Sequence, residues 1–455
     1  WGRPLPGALD ELRFSKGRVY DAAFAPPGSF VTDAAAGAPA RKPVITQPLL
    51  FAATAASDEP VNLGSRPHLL IDDALFPVHH GVSFEPVPPQ KVELAFAIKG
   101  SFRKHITVVE DEVGVIRLYA PAGKEDRLTV RTSRDGLHFD LPKLSDLEQD
   151  FPNIVTPESA GTPSVFLDPL APPAERWKLV SGDEGAGIYL FTSPDGWKWK
   201  RLPVAAVSAR SGSQSNMIYD DQRGAYLGYH RTDSGTNVFG RTERRFVMSQ
   251  TDSLQPPWPV QALTPADYER LATTVRLHDL RPWYLDNGPL TPGGVGLEYP
   301  IVFQPMDGFD PAATDIYVPK AVKYAWAPDT YLAFPCIYYH YEGTAPAARS
   351  RLGEPEEGRG SGPIETQLMA SRDGVRWTRY PRPVWLNVGL NDGWDIHQTY
   401  MAQGMIRRGD EIWMYAYNTE EYHSPHTKSA ARRGVFRTVH PVSYTHLTLP
   451  TNREV

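Results

Sequence analysis

Ser193-Pro194-Asp195-Gly196-Trp197-Lys198-Trp199 decides the fold, because it is one of three copies of a single pattern. The others are Ser133-Arg134-Asp135-Gly136-Leu137-His138-Phe139 and Ser371-Arg372-Asp373-Gly374-Val375-Arg376-Trp377, with a degenerate copy at Ser249-Gln250-Thr251-Asp252-Ser253. Successive copies begin 60, 56 and 122 residues apart, the last interval being two periods or one period with a long insertion. A period of this size marks propeller blades or another stacked array. The pattern itself describes a tight turn. Ser and Asp side chains bond back to nearby N–H groups, Gly supplies a positive φ, and the aromatic packs beneath. These aspartates are therefore read as turn staples rather than catalytic acids.

Working outward from the turns, each copy follows a strand-like run such as Gly187-Ile188-Tyr189-Leu190-Phe191-Thr192. Two further strands can be read before it in each unit. The first unit takes 105–111, 115–120 and 127–132; the second 163–167, 177–180 and 188–192; the third 215–219, 225–230 and 245–249. The fourth takes 316–324, 330–339 and 366–371, and the fifth 399–407, 411–417 and 434–439. Polar or Gly/Pro turns such as Glu112-Val113-Gly114 and Arg408-Gly409-Asp410 join the first two strands of each. The spacing predicts an all-β, five-bladed β-propeller over 65–440. Within it, Thr264-Pro265-Ala266-Asp267-Tyr268-Glu269-Arg270-Leu271 carries helix-start signals, and 343–363 reads as an inserted loop.

Composition agrees. The 455 residues are 41% hydrophobic and 22% charged, enough for a core, and 37 Gly with 44 Pro argue for turns over helical bundles. A net charge of −6 offers no basic field for nucleic acid. The lone Cys336 excludes an intrachain disulfide and a cysteine-based zinc site. No apolar run reaches the ~18 residues of a membrane span. The chain opens at Trp1 rather than Met, so an upstream signal peptide cannot be judged, and an extracellular or periplasmic setting is the expectation. Residues 441–455, including Val442-Ser443-Tyr444-Thr445-His446-Leu447-Thr448-Leu449-Pro450, read as a non-native tail resembling translated adapter sequence.

Three sequence features resemble a known group. Leu69-Leu70-Ile71-Asp72-Asp73-Ala74-Leu75-Phe76, Glu175-Arg176-Trp177-Lys178-Leu179-Val180 and Gly393-Trp394-Asp395, with the repeat and its count of five, resemble bacterial propeller proteins related to glycoside hydrolase families 32, 43 and 68, the invertase, arabinanase and levansucrase relatives. At the other end, the run Asp10-Glu11-Leu12-Arg13-Phe14-Ser15 resembles the closing strand of a laminin-G-like, concanavalin-type jelly roll. On that reading 1–30 is a truncated remnant and 31–64 a linker; the alternative is a short N-terminal strand or arm. The resemblance to the hydrolases implies an Asp near the start of blade one, a second Asp holding the sugar and a Glu as acid. This chain departs at the first point: the blade-one entry carries Lys104 and His105, and Asp72 and Asp73 lie some 30 residues earlier.

In a propeller the first strand of each blade lines the channel, so the residues that enter it face the rim where ligands bind. That selection gives Arg103, Lys104 and His105 from blade one, Glu158 and Ser159 from blade two, and Gln214, Asn216, His230 and Arg231 from blade three. Blade four offers Asp315, Tyr317, His340 and Glu342; blade five offers Asp392, Trp394, Asp395, His397, Asn418, Glu420 and Glu421. Glycoside hydrolysis needs one protonated and one ionised carboxyl group. The expected catalytic set is Glu158 as acid, Asp315 or Asp395 as base or sugar holder, and Asp73 as a possible fourth. Lys104, His105, Asn216, His230, Arg231, Tyr317, His340, Trp394 and His397 are the expected carbohydrate-binding residues. The four histidines 105, 230, 340 and 397 lack metal-ligand spacing on a helix, so neither metal nor other cofactor is expected. Two readings compete with hydrolysis: a non-catalytic carbohydrate-binding propeller, and a six-bladed sialidase-like one, whose box places a residue between Asp and Gly where this chain has none.

Overall fold

Ile116–Ala122, read Ile-Arg-Leu-Tyr-Ala-Pro-Ala, is buried at every position. A strand achieves that only when both of its faces are covered by other layers. The computed structural model shows how. It describes residues 61–75, 86–183, 187–207, 213–236, 242–258, 301–303, 314–339, 362–379, 384–423 and 431–442, with a few isolated positions besides. The expected arm over 1–30, most of the linker, the helix at 264–271, His340, Glu342 and the tail beyond 442 lie outside the described residues.

Among those residues the chain is almost entirely β. Strand β1 (Lys91–Ala97) comes first, and blade one follows as β2 (Thr107–Glu110), β3 (Ile116–Ala122), β4 (Arg127–Ser133) and β5 (Ile154–Ser159). Blade two is β6 (Ser164–Leu167), β7 (Trp177–Asp183), β8 (Gly187–Ser193) and β9 (Lys200–Arg201). Blade three is β10 (Asn216–Asp220), β11 (Ala225–Thr236), β12 (Thr242–Thr251) and β13 (Ile301–Phe303). Each is a four-stranded antiparallel meander.

Blade four is interrupted. Its first three strands, expected as continuous, are each split: β14 (Thr314–Val318) from β15 (Ala321–Lys323), β16 (Tyr331–Ala333) from β17 (Cys336–Tyr339), and β18 (Ile364–Gln367) from β19 (Met369–Ser371). Pro319 and Pro335 sit at two of the breaks, where a residue without an N–H cannot continue a ladder. β20 (Val384–Leu386) is its outer strand, and a small hairpin of β21 (Gly389–Asn391) and β22 (Trp394–Ile396) leads onward. Blade five is β23 (Gln398–Met401) with its continuation β24 (Ile406–Arg408), then β25 (Glu411–Thr419) and β26 (Arg433–Pro441). Its fourth strand is β1, paired antiparallel from Lys91 opposite Val439 to Ala97 opposite Gly434.

Five apolar clusters fill the five seams between blades. Tyr119 and Val130 meet Trp177 and Phe191 between one and two; Val180 and Leu190 meet Met217 and Tyr226 between two and three. Leu227 and Phe246 meet Ile316 and Tyr331; Leu332 and Trp385 meet Ile412 and Met414. Tyr400 and Tyr415 meet Val108 and Leu118, joining the last blade to the first. Thr107 forms a parallel bridge with Gln403 at that same seam. The ring is closed, and the fold is a five-bladed β-propeller.

The turns behave as their chemistry demands. Ser Oγ accepts from the Gly N–H at 2.9 Å in Gly136 and Gly196 and 2.8 Å in Gly374, with φ of 75°, 76° and 71°. Asp Oδ1 accepts from the two following N–H groups in each copy, for example Leu137 at 2.9 Å and His138 at 2.8 Å. A tyrosine of the preceding blade then donates to each glycine carbonyl: Tyr119 to Gly196, Tyr229 to Gly374 and Tyr415 to Gly136, at 3.0, 3.0 and 2.8 Å. The repeat therefore locks neighbouring blades together at one end of the propeller. The mouth is at the other end.

Buried polar groups lace the first strands across the axis. Gln403 accepts from Ser164 Oγ at 2.7 Å and from Asn216 Nδ2 at 3.3 Å, and donates to the Met217 carbonyl at 3.1 Å. Gln214 donates to Thr107 Oγ1 at 3.2 Å and accepts from Lys320 Nζ. In a low-dielectric interior such a network specifies one register only if its members are satisfied, and these are.

Candidate active site

Side chains two apart on a strand share a face. Gln398 and Tyr400 of β23 therefore point the same way, while Asp315 and Tyr317 of β14, whose pairing shifts register at Tyr317, are both reached by Arg244. These side chains meet at the mouth. The Tyr317 and Tyr400 rings lie edge to face with centroids 6.1 Å apart. Lys104, delivered by the loop that enters β2, places its Nζ 4.5 Å from the Tyr317 centroid and 4.7 Å from that of Tyr400. It donates to Tyr400 Oη at 3.0 Å, which donates in turn to Gln398 Oε1 at 2.7 Å. Arg244 of β12 lies over Tyr317 at 5.4 Å and grips Asp315 through its guanidinium and, at 3.2 Å, its backbone N–H. Asp315 is fully buried in this pairing. Burial pushes the Tyr317 phenol up, but Lys104, Arg244 and Arg231 outweigh it and leave the phenol below its ordinary range.

The hairpin tip between β25 and β26 extends the cluster. His423 packs against Tyr317 at 4.9 Å and Tyr338 at 4.5 Å. Its neighbour Tyr422 stacks on His397, centroids 4.0 Å apart and rings 16° from parallel. His397 Nε2 is 3.4 Å from Asp395 Oδ1, too loose for a hydrogen bond, and both ring nitrogens and that carboxylate oxygen are covered without a hydrogen-bond partner. A continuous row of rings thus runs from the Asp315–Arg244 pair to the Asp395–His397 pair.

The other expected residues fall elsewhere. Asp73 is exposed in a short 3-10 turn (Asp73–Leu75), and its neighbour Asp72 binds Arg372 Nε at 3.0 Å beside the Ser371–Gly374 turn. That is the end opposite the mouth, so Asp73 is not gathered with the other acids. Glu158 is on β5, the outermost strand of blade one, about 14 Å from the inner strand at ordinary strand spacing. Its Oε2 is buried without a partner. Asn216 and His230 are wholly buried and already satisfied, Asn216 in the axial network and His230 between Ser215 Oγ (3.3 Å) and Ser249 Oγ (2.8 Å). Both are occupied by partners within the fold. Trp394 packs edge-on against Phe436 under the Arg432 guanidinium, which Glu420 holds. His105 is buried beside Lys104, and Arg231 lies half-buried within β11. Gln398, Tyr338, Tyr400, Arg244, Tyr422 and His423 were not among the expected site residues. For Gln398 and Tyr400 their two-residue alternation is the signal that would have found them.

Among the described residues no three His, Cys, Asp or Glu side chains are grouped to hold a metal ion, and no helix is long and apolar enough to cross a membrane. The defined class is a closed, all-β propeller with a polar and aromatic mouth. No family model matches the chain, and no curated protein matches its sequence. Solved structures resemble it at low identity. An N-acetylgalactosamine deacetylase from F. plautii, in complex with blood group B trisaccharide, is 12% identical over 80% of this chain and 97% of its own, with a TM-score of 0.41. A glycosyl hydrolase from Bacteroides ovatus is 12% identical over 82% and 94%, at 0.42. An endo-arabinase from Bacteroides thetaiotaomicron is 10% identical over 79% and 97%, at 0.39. Likenesses this slight assign neither activity nor substrate.

Proposed function

We propose that the protein is a glycoside hydrolase-like enzyme that cleaves glycosidic bonds of a plant or algal poly- or oligosaccharide at the propeller mouth, outside the cytoplasm. The observation that carries this reading is the Asp395–His397 pair. A buried carboxylate oxygen and two imidazole nitrogens without partners leave polar groups unpaired at about 1–3 kcal/mol each, a cost that sugar hydroxyls would offset. In this proposal Asp395, beside His397, exchanges the proton with the leaving oxygen, and the fully buried Asp315 holds the Arg244 guanidinium over Tyr317. The tyrosine rings offer apolar faces to the C–H side of a pyranose or furanose. Glu158, on the outer strand, would contact only a long substrate.

The test is release of reducing ends from a panel of polysaccharides by the intact chain, and then by Asp395→Asn. We predict that the substitution lowers turnover by about a hundredfold or more with binding retained. Turnover unchanged by Asp395→Asn removes that residue. Binding with no release by the intact chain favours the alternative, a non-catalytic carbohydrate-binding propeller, with which the complete burial of Asp315 is also consistent.

A further inference from the structure

Two other largely buried lysines of the propeller find acids: Lys178 lies 3.4 Å from Glu175, and Lys323 contacts Asp220 and, at 2.9 Å, Asp221. Two lysines near the mouth do not. Lys104 Nζ meets the Tyr400 hydroxyl and the Tyr317 and Tyr400 rings, and among the described residues no carboxylate lies within ion-pair distance of it. Lys320, completely buried between β14 and β15, donates to the neutral Gln214 amide and likewise has no acid. Burial lowers its amine to about 8, with Lys104 adding to the fall and Cys336 opposing it. His105, more than nine-tenths buried, keeps its Nδ1 without a hydrogen-bond partner. Burial and then Lys320, Lys104, Arg231 and Arg103 push its imidazole well below its ordinary value, and each of those charges is positive. The acids in the neighbourhood are engaged or distant: Asp315 is bound by Arg244, Asp126 by Arg103 at 2.6 Å, and Asp395 stands with His397 in blade five.

Two covered ammonium groups that share a positive neighbourhood are costly unless an anion joins them. We propose that the mouth takes an anionic sugar, its uronate carboxylate or sulfate ester bound by Lys104, with Lys320 supplying further positive charge nearby and Tyr317 and Tyr400 the apolar floor. This rests on the glycan reading above and specifies its substrate class. Because the charge contact is made with the ground state, it is read by binding, independently of bond cleavage.

The experiment measures affinity for four polymers: polygalacturonate and its carboxyl-reduced form, and carrageenan and its desulfated form. The intact chain is compared with Lys104→Gln and Lys104→Arg, each checked for an unchanged melting temperature. At least one charged polymer should bind about tenfold more tightly than its neutralised counterpart, and the pair that differs tells carboxylate from sulfate. The preference should weaken with added salt, fall several-fold in Lys104→Gln and return in Lys104→Arg. Equal binding of charged and neutralised forms, no binding of either charged polymer, or full preference in Lys104→Gln overturns the proposal. Cleavage of neutral glycans without charge preference sinks this inference and leaves hydrolysis standing. Charge-selective binding without cleavage does the reverse.

Discussion

His230 shows how a single position resists reading. It lies within the long strand β11, carries a ring suited to sugars, and yet is sealed between two serine hydroxyls against Trp258. Sequence places a residue along a strand; it does not say whether the side chain turns toward the channel or into the blade. The same holds for Asn216, taken up by the axial network. Burial makes a testable difference. It lowers the His230 imidazole to about 4 and that of His440, stacked on Trp385 at 4.7 Å, to about 3. Both pKa values fall on folding, so the unfolded chain binds more protons below its own value near 6.5. Their contribution is fully present above that pH and is lost as pH falls toward 4 and 3. We predict a stability slope of about 1.4 kcal/mol per pH unit for each histidine in this window. Urea midpoints measured from pH 7.5 to 4.5 should show a slope shallower by about that amount in His230→Gln. An identical slope would mean that His230 is protonated in the fold.

At the scale of elements the repeat was legible because local chemistry writes it: Ser, Asp and Gly each have a bond or a φ to satisfy within four residues. Strands flanking the turns were legible too, within a few residues. The outer strands were not. β9 is Lys200-Arg201, two exposed residues with no alternation to detect, and β1 pairs with a strand some 340 residues away. The cross-blade tyrosines were also invisible, since a Tyr inside a strand reads as ordinary core. Their role is measurable in the fourth blade's turn. A Cβ on Gly374 would lie 2.8 Å from the Tyr229 hydroxyl, at a φ of +71° that L side chains rarely adopt. We predict that Gly374→Ala destabilises the fold by about 2–3 kcal/mol, from strain and the displaced hydroxyl together. Tyr229→Phe, which strands the Gly374 carbonyl, should cost about 1–2 kcal/mol. The two should couple in a double-mutant cycle on chemical denaturation, because they remove one shared contact. Strict additivity would show that the tyrosine does not hold the turn.

For the whole molecule the decisive feature is closure, and it depends on one glycine that no local pattern singles out. The inner strand of blade five breaks between β23 and β24, where Gly404 adopts a φ of +118°. The break lets blade one approach: Val108 N–H donates to the Gln403 carbonyl at 2.8 Å, and Gln403 N–H to that of Ile106 at 2.9 Å. A Cβ on Gly404 would sit 2.1 Å from the Val108 carbonyl oxygen, a backbone atom with no rotamer to yield. Gly404→Ala must therefore separate the first and last blades, breaking both hydrogen bonds and loosening Gln403, on which the axial network converges. We predict a loss of about 3 kcal/mol or more. Gly409→Ala is the control, a glycine at a milder φ of +59° with nothing within 4 Å of the added carbon, so only backbone strain of about 1 kcal/mol is expected. Because the seam also carries Lys104 to Tyr400, Gly404→Ala should weaken glycan binding even below its unfolding transition, whereas Gly409→Ala should not. Equal stability of the two variants would show that blades one and five are not joined at Gly404, and with it that the ring is not closed there.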